Sequence, residues 1–324
     1  MNPNLQTSVD LTAPDDVLAR ERGRDRRFRW LVTGMAMMVL LVLGAILMSL
    51  VIGSMPAFDQ FGWKFLTSRA WDPIGNDYGA LSAIYGTVVT SAIALLLAVP
   101  ISFFIAFFLT ELCPKRLRST VNGIIELLAG IPSIIYGMWG LFVLAPLLAQ
   151  YVQPRLDQWF HHIWLLDRIF QGPPIGIGLL PAALILSLMV VPFITSVMRE
   201  VFEVVPYSLK EAGYGIGGTT WEVMWDIVVP YTRIAIVGGI MLGLGRALGE
   251  TMAVTFMIGN NNNISAALFD SGNSIASVIA NEFAEAADPL HASALTELGL
   301  ILFVITFIVL AVARLLIMRV ERRA

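Results

Sequence analysis

Long apolar stretches separated by short polar segments dominate the chain from about residue 30 onward. A helix needs about 20 apolar residues to cross a bilayer, and six stretches satisfy this requirement. They cover approximately residues 30–53, 83–110, 121–150, 176–198, 234–258 and 294–318. The third stretch contains Pro132 and several glycines, which predict a kink or a re-entrant piece. The pattern predicts an all-α polytopic membrane protein with six transmembrane helices.

Composition supports a membrane environment. Hydrophobic residues make up 57% of the 324 residues, charged residues make up 14%, and the mean hydropathy is +0.75. Soluble domains contain about 25% charged residues, so a single water-soluble core is excluded. Cys113 is the one cysteine, which excludes an internal disulfide.

The amino-terminal segment differs from the rest. Residues 1–28 are polar and rich in Asp and Arg, which predicts a disordered tail. The apolar run that follows is too long for a signal-peptide core and has no clear cleavage site, so we interpret it as an uncleaved first span. Residues 29–320 are then the transmembrane domain.

Basic residues alternate along the chain in a way that indicates orientation. Lys and Arg concentrate in the amino-terminal tail, in segments 111–120 and 199–233, and after residue 318, whereas segment 259–293 has neither. Because cytoplasmic loops are enriched in Lys and Arg, we expect both termini and segment 199–233 to lie in the cytoplasm. The acidic, polar segment 259–293 would then be external, either as a docking surface or as plain solvated surface.

The segment between the fourth and fifth spans predicts a compact helix–turn–helix, which we call the knob (residues 206–230). A short helix beginning near Ser208 would end at Gly215–Gly218, where Gly217 can take the left-handed conformation. Thr219 or Thr220 could cap the next helix, with Glu222 in its first turn. Such a knob can dock into a partner and transmit rigid-body motion.

Six residues of the knob match a known sequence pattern. The segment is similar to the E-A-A-x3-G-x9-I-x-L-P loop through which permeases of ABC importers contact their ATPase. Gly213 replaces the second alanine of the pattern and Val229 replaces its leucine. The ATPase-coupling residues implied by this match are Glu211, Ala212, Gly213, Gly217, Ile227 and Pro230.

The fifth stretch places two charges in the middle of the bilayer. Arg246 lies at its midpoint and Glu250 follows four residues later. An arginine at a helix centre costs about 2.5–3.5 kcal/mol on insertion scales, so such residues face a bundle interior or a water-filled path. At this spacing the two side chains can pair on one helical face. Nearby glycines at small-xxx-small spacing predict helix packing.

Two interpretations of the charged pair remain open. In one, Arg246 is a transient contact for a tetrahedral oxyanion, whose shape suits the guanidinium fork, and Glu250 holds the arginine between transport events. Glu250 would also favour phosphate, which keeps an O–H donor near neutral pH, over sulfate. In the other interpretation the pair is a buried salt bridge that fixes helix packing. Thr251 lies in the same region.

The third stretch offers further polar groups. Glu126 precedes Ile131–Pro132–Ser133, and a break at Pro132 could open backbone groups toward a central cavity. Ser133 and Tyr136 could then donate hydrogen bonds to an anion. Alternatively, Glu126 lies near the headgroups and Pro132 only kinks the helix.

Four segments together identify a family. Residues 243–256 (GLGRALGETMAVTF), 126–142 (ELLAGIPSIIYGMWGLF), 280–286 (ANEFAEA) and the knob resemble the permease of the bacterial phosphate-specific ABC importer, over residues 30 to 320. The resemblance implies the type I ABC importer permease fold and location in the bacterial inner membrane. It also implies partnership with a homologous second permease, two ATPase subunits and a periplasmic phosphate-binding protein. In that family an Arg and a Glu of the fifth span, matching Arg246 and Glu250, are tied to transport.

We therefore expect a non-catalytic permease subunit that moves inorganic phosphate into the cytoplasm. The sequence has no G-x4-G-K-[ST] phosphate loop, so ATP hydrolysis is expected in a partner. No cofactor, metal or nucleic acid is expected, and lipid surrounds the chain. The alternatives are an importer of sulfate or molybdate with the same architecture, and a channel or secondary transporter that needs no ATPase.

Overall fold

A computed structural model describes residues 15–160 and 164–321. The chain divides into two compact units, Met1–Ile52 and Gly53–Ala324. The described part of the first unit belongs to one helix, α1 (Asp15–Phe61), whose apolar side chains around Val39–Leu43 are exposed. Helix α1 begins at Asp15, within the segment 1–28 for which a disordered tail is predicted, and residues 1–14 lie outside the described part.

The second unit is almost entirely helical. After α1 come α2 (Lys64–Thr67), a two-stranded antiparallel hairpin of β1 (Trp71–Asp72) and β2 (Asp77–Tyr78), and α3 (Leu81–Leu112). The remaining helices are α4 (Lys115–Ala129), α5 (133–160), α6 (Trp164–Phe170), α7 (Leu179–Glu203), α8 (Tyr207–Gly215), α9 (Thr220–Leu248), α10 (Met252–Ile258), α11 (Ile275–Glu282) and α12 (Pro289–Glu321). Among the described residues, three of these helices contain π-helical turns, at Phe108–Leu112 in α3, at Gly140–Leu144 and Leu148–Val152 in α5, and at Val223–Val228 in α9.

Six helices in the described residues are long and apolar enough to cross a membrane, which confirms the predicted fold class. They are the relevant parts of α1, α3, α5, α7, α9 and α12. Helix α7 is the central one, because it packs against α3, α4, α9 and α10. Its residues Ile185, Val190 and Ile194 are fully buried, whereas most outward-facing apolar residues of the other spans are exposed, as a lipid environment requires.

Glycines let α9 approach α7 closely. A Cβ atom added at Gly239 would lie 2.8 Å from Val197 Cγ1, and one at Gly243 would lie 2.7 Å from Ile194 Cδ1. The small-xxx-small spacing therefore serves helix packing, as predicted.

Two of the predicted spans are broken. The third stretch, predicted at 121–150, begins instead at Ser133, because the chain is extended at Pro132 and α4 is a separate amphipathic helix. The fifth stretch, predicted at 234–258, is α9, which ends at Leu248, followed by the separate α10. Proline lacks the amide hydrogen that helix continuation needs, which explains the first break.

A smaller core joins the β-hairpin to α11 and α12. Glu282 accepts hydrogen bonds from Trp71 Nε1 at 2.9 and 3.0 Å and lies 2.9 Å from His291 Nε2. Tyr78 stacks on the His291 ring with centroids 5.4 Å apart. Burial, and then the nearby carboxylates of Asp288 and Glu282, raise the pKa of the Tyr78 phenol. Glu282 thus ties the hairpin to the helices.

Candidate functional site

Arg246 lies in the last turn of α9, near the middle of the apolar segment that α9 and α10 form together. Its side chain is exposed on the surface of the chain. The guanidinium carbon lies 5.7 Å from the centre of the Phe193 ring on α7, a cation–π distance. This contact orients the guanidinium without using its N–H donors, which stay available to an anion.

Glu250 does not pair with Arg246, and the predicted salt bridge on one helical face is wrong. No ion pair within 4.0 Å joins the two among the described residues, because α9 ends two residues before Glu250. The backbone N–H of Glu250 bonds the Ala247 carbonyl at 3.3 Å, and its Oε1 accepts a bond from the Ala253 N–H at 3.4 Å. Glu250 therefore sits in the break between α9 and α10 and caps the second helix.

The other predicted pathway residues flank the two breaks. Tyr136 is within electrostatic reach of Arg246, but its hydroxyl donates a 2.8 Å bond to the Leu128 carbonyl. That bond spans the α4–α5 break and occupies the donor that was expected to meet an anion. Ser133 is the first residue of α5 and is partly exposed. Thr251 is also partly exposed, and its hydroxyl lies 3.4 Å from the Gly249 carbonyl.

The two breaks lie side by side, because the helices that follow them pack together. A Cβ atom at Gly137 of α5 would lie 3.1 Å from both Ala253 Cα and the Met252 carbonyl oxygen of α10. Met252 directly follows the break that holds Glu250. Two interrupted membrane helices thus bring irregular backbone, Arg246 and Glu250 into one region, as discontinuous helices do at transporter sites.

The knob has the predicted local structure. Helix α8 starts after Pro206 and ends at Gly215, and Gly217 has φ +91°, in the left-handed region. Thr219 caps α9 in a reciprocal capping box: its hydroxyl accepts from the Glu222 N–H at 3.3 Å, and Glu222 accepts from the Thr219 N–H at 2.8 Å.

Two of the coupling residues form the internal contact of the knob. A Cβ atom at Gly213 would lie 2.5 Å from Ile227 Cδ1, so the glycine that departs from the family pattern lies against the isoleucine that matches it. Pro230 lies in the first turn of the α-helical part of α9 that follows the π turn. Glu211 and Ala212 are exposed, beside the exposed Tyr207 and Ile216. An exposed face of mixed aromatic, apolar and acidic character is suited to a protein partner.

Two attachments of the knob to the membrane helices were not predicted. Lys210 Nζ forms a 2.6 Å salt bridge with Glu111 at the end of α3, and both side chains are about 90% buried. Trp221 stacks on Trp225 and on Phe104, with ring planes within 8° and 14° of parallel. The Lys210–Glu111 and Trp221–Phe104 contacts join positions about 100 residues apart in sequence, and no local signal in a single sequence marks them.

The asparagine run 260–263, predicted to lie in an external loop, forms hydrogen bonds within its own segment. Asn260 accepts a 2.6 Å bond from the Ser277 hydroxyl, and Asn262 accepts a 2.9 Å bond from Asn273. Together with the role of Glu282 in the hairpin core, these bonds show that several polar side chains of segment 259–293 hold that segment in shape.

Sequence comparisons identify close relatives. Residues 98–322 match the family described as binding-protein-dependent transport system inner membrane component. The chain is 56% identical over 321 residues to the phosphate transport system permease protein PstC of Mesorhizobium japonicum, covering 99% of this chain and 97% of that protein. It is 56% identical to the protein of the same name from Pasteurella multocida, covering 91% of this chain and 92% of that protein.

Solved structures share the fold at low sequence identity. A bacterial ABC transporter involved in the import of the polysaccharide alginate matches with a TM-score of 0.61 and 19% identity, covering 92% of this chain and 99% of that one. An inward-facing structure of the MetNI methionine ABC transporter matches with a TM-score of 0.53 and 16% identity, covering 74% of this chain and 94% of that one. The prediction of an ABC importer permease fold is therefore confirmed.

Proposed function

This chain belongs to the family of binding-protein-dependent transport system inner membrane components, and from that premise we propose that it is the permease subunit of an ATP-driven importer of inorganic phosphate. Identity of 56% to phosphate permeases over nearly the full length supports the solute. The observation that supports anion binding is the exposed Arg246 side chain. Its only ring or ion contact among the described residues is with Phe193.

The exposure of Arg246 indicates what must cover it. Lipid contact would cost about 2.5–3.5 kcal/mol, so this face lies against protein or water. A homologous second permease placed against it would enclose a path between the two subunits, with Arg246 on its wall. A guanidinium offers planar donors that match two oxygens of a phosphate, and weak binding at this point allows release.

The neighbouring polar residues take supporting roles. Glu250, in the break after α9, accepts the remaining O–H of phosphate, which sulfate lacks near neutral pH. Ser133 and Thr251, both partly exposed beside the breaks, donate further hydrogen bonds to the anion. Tyr136 holds the α4–α5 break closed through Leu128 and can reach the anion only by giving up that bond.

The knob couples the path to ATP hydrolysis in a partner. Two ATPase subunits bind the knob of this chain and that of the second permease, and Glu211, Ala212, Gly213, Gly217, Ile227 and Pro230 form the coupling element. The salt bridge from Lys210 to Glu111 and the Trp221 stack transmit knob displacement to α3. Movement of the knob transmitted through these contacts would change access to the path at the breaks.

The proposed orientation follows from the basic segments. The protein lies in the inner membrane with both termini and the knob in the cytoplasm, and a periplasmic phosphate-binding protein delivers the anion on the opposite face. The β-hairpin and segment 259–293 would meet that protein.

A reconstitution experiment tests the function. The four-component complex in proteoliposomes should accumulate labelled phosphate only with ATP and binding protein, and a non-hydrolysable ATP analogue should abolish uptake. Sulfate and molybdate provide the solute comparison. Uptake of sulfate or molybdate in preference to phosphate would show that the transported solute is not phosphate. Phosphate flux without ATP would contradict the ATP-driven mechanism.

A further inference from the structure

A second arginine lies in the spanning helix α7 without adequate partners. The Arg199 side chain is only 14% exposed. Its nearest carboxylate oxygens belong to Glu126 at 3.6 Å and Glu200 at 3.9 Å, both longer than a hydrogen bond. Its Nε atom is buried and has no partner. A guanidinium has five donors, and at least the Nε donor of this one is left unsatisfied.

The surroundings of Arg199 contain other unpaired polar atoms. Asn122 Oδ1 and Thr195 Oγ1 are likewise buried without hydrogen-bond partners. Asn122 lies one helical turn from Glu126 on α4, and Thr195 lies one turn from Arg199 on α7, and the two helices pack together. Buried polar groups are normally bonded, so unpaired atoms on both helices within one turn of the Arg199–Glu126 contact indicate a place for a polar ligand or water.

Arg199 and Phe193, the residue that contacts Arg246, both occupy partly exposed positions of α7. Phe193, which contacts Arg246, is six residues before Arg199, or about 9 Å along α7 toward the knob. Ser196, at helical spacing between them, is also partly exposed, whereas Ile194 and Met198 are buried.

The α4–α5 break is connected to both arginines. Tyr136 is within electrostatic reach of Arg246, and its hydroxyl bonds the Leu128 carbonyl. Leu128 is two residues beyond Glu126, which faces Arg199. Arg199 therefore contacts the helix that leads into this break, and Tyr136 links the break to the surroundings of Arg246.

We propose that Arg199 is a second oxyanion contact on the path, about 9 Å closer to the knob than Arg246. This inference rests on the proposed function. The arginine is fixed by burial, whereas the Glu126 and Glu200 side chains are 62% and 70% exposed and can move aside. An arriving phosphate displaces the carboxylate from the guanidinium, and return of the carboxylate releases phosphate toward the cytoplasm.

Uptake by the reconstituted complex tests this assignment. Arg199→Gln should lower phosphate uptake at least tenfold while ATP hydrolysis stimulated by the loaded binding protein changes less than twofold, because the knob is untouched. Arg116→Gln, an exposed arginine of α4, is the matched control and should behave as wild type. Inactive wild-type complex would count against the proposed function, whereas active wild type with an equally active Arg199→Gln variant would overturn only the second contact.

The double variant separates transport from helix attachment. If Arg199 and Glu126 only fasten α4 to α7, Glu126→Gln should be as damaging as Arg199→Gln, and Arg199→Gln/Glu126→Gln should recover uptake. The proposal expects Glu126→Gln to keep at least a third of wild-type uptake and the double variant to stay as low as Arg199→Gln. Recovery in the double variant would overturn the proposal.

A labelling experiment covers the case in which Arg199→Gln does not assemble. Ser196→Cys, at a partly exposed position one helical turn from Arg199, is introduced with Cys113→Ser into a complex whose partners lack cysteine, and Arg199 is kept. A negatively charged methanethiosulfonate should modify position 196, and inorganic phosphate should slow modification at least threefold while chloride should not. Lack of modification, or equal rates in phosphate and chloride, would contradict an anion contact at Arg199.

Discussion

Arg246 and Glu250 are four residues apart but belong to different helices. The end of α9 at Leu248 directs Glu250 to the amide of Ala253, and Arg246 is left against the face of Phe193. Had the helix continued, the carboxylate would have neutralised the guanidinium and occupied its donors. The break therefore keeps a cation and an acceptor near each other while leaving both able to bind a substrate.

Replacement of Glu250 by glutamine tests its acceptor role. A glutamine oxygen can still cap α10, so the complex should assemble, but the charge that strengthens the bond to the phosphate O–H is lost. Charged hydrogen bonds contribute about 1.5–3 kcal/mol, so the initial rate of labelled phosphate uptake should fall about tenfold or more. Glu285→Gln, an exposed acid of the external segment, is the control, and equal uptake by the two variants would refute the role.

At the scale of elements, local signals predicted the knob. Gly217, Thr219 and Glu222 lie within six residues of one another and determine the turn and the cap through their own backbone and side chains. Pro132 indicated the break at residues 130–132. The break at residues 249–251 was harder to predict, because it contains no proline and a three-residue interruption scarcely changes the hydropathy of a 20-residue window.

Contacts between distant segments were not predictable from one sequence. Lys210 and Glu111, and likewise Arg199 and Glu126, are paired by the packing of whole helices. In the sequence, each of these four residues is recognisable only as a charged residue near the end of an apolar stretch. The predicted Arg246–Glu250 pair failed for the opposite reason, because a regular helix was assumed where the backbone turns.

The Lys210–Glu111 salt bridge should stabilise the attachment of the knob. Removal of one partner from a buried pair leaves an uncompensated charge, so Lys210→Met should cost about 3 kcal/mol and lower the apparent melting temperature of the purified complex. The neutral double variant Lys210→Met/Glu111→Leu should recover most of that loss. Lys64→Met, at an exposed lysine, serves as the control, and a double variant less stable than Lys210→Met would contradict a buried ion pair.

At the scale of the whole molecule, six candidate spans would place both termini on one side of the membrane. Reporter fusions test which side. Alkaline phosphatase, active only in the periplasm, should be active when fused after Asn262 and inactive after Ala324, and green fluorescent protein, fluorescent in the cytoplasm, should show the reverse. The opposite pattern would invert the proposed orientation and place the knob away from any cytoplasmic ATPase.

The helix bundle connects the knob, proposed to bind the ATPase, with Arg246, proposed to contact phosphate. The knob, fastened to α3 and continuous with α9, lies at one end of the helix that carries Arg246. Displacement of the knob by an ATPase would therefore act on the residue proposed to contact phosphate. Membership of the importer family and the geometry of this helix lead to the same mechanism.

The most direct test compares Arg246→Gln with Arg233→Gln, which removes the same charge from an exposed position on the same helix. Both variants should assemble with the second permease and the ATPase. In proteoliposomes supplied with ATP and phosphate-loaded binding protein, Arg246→Gln should lose at least nine-tenths of labelled phosphate uptake, and Arg233→Gln should retain most of it. Undiminished uptake by a correctly assembled Arg246→Gln complex would contradict the proposal that phosphate passes this guanidinium.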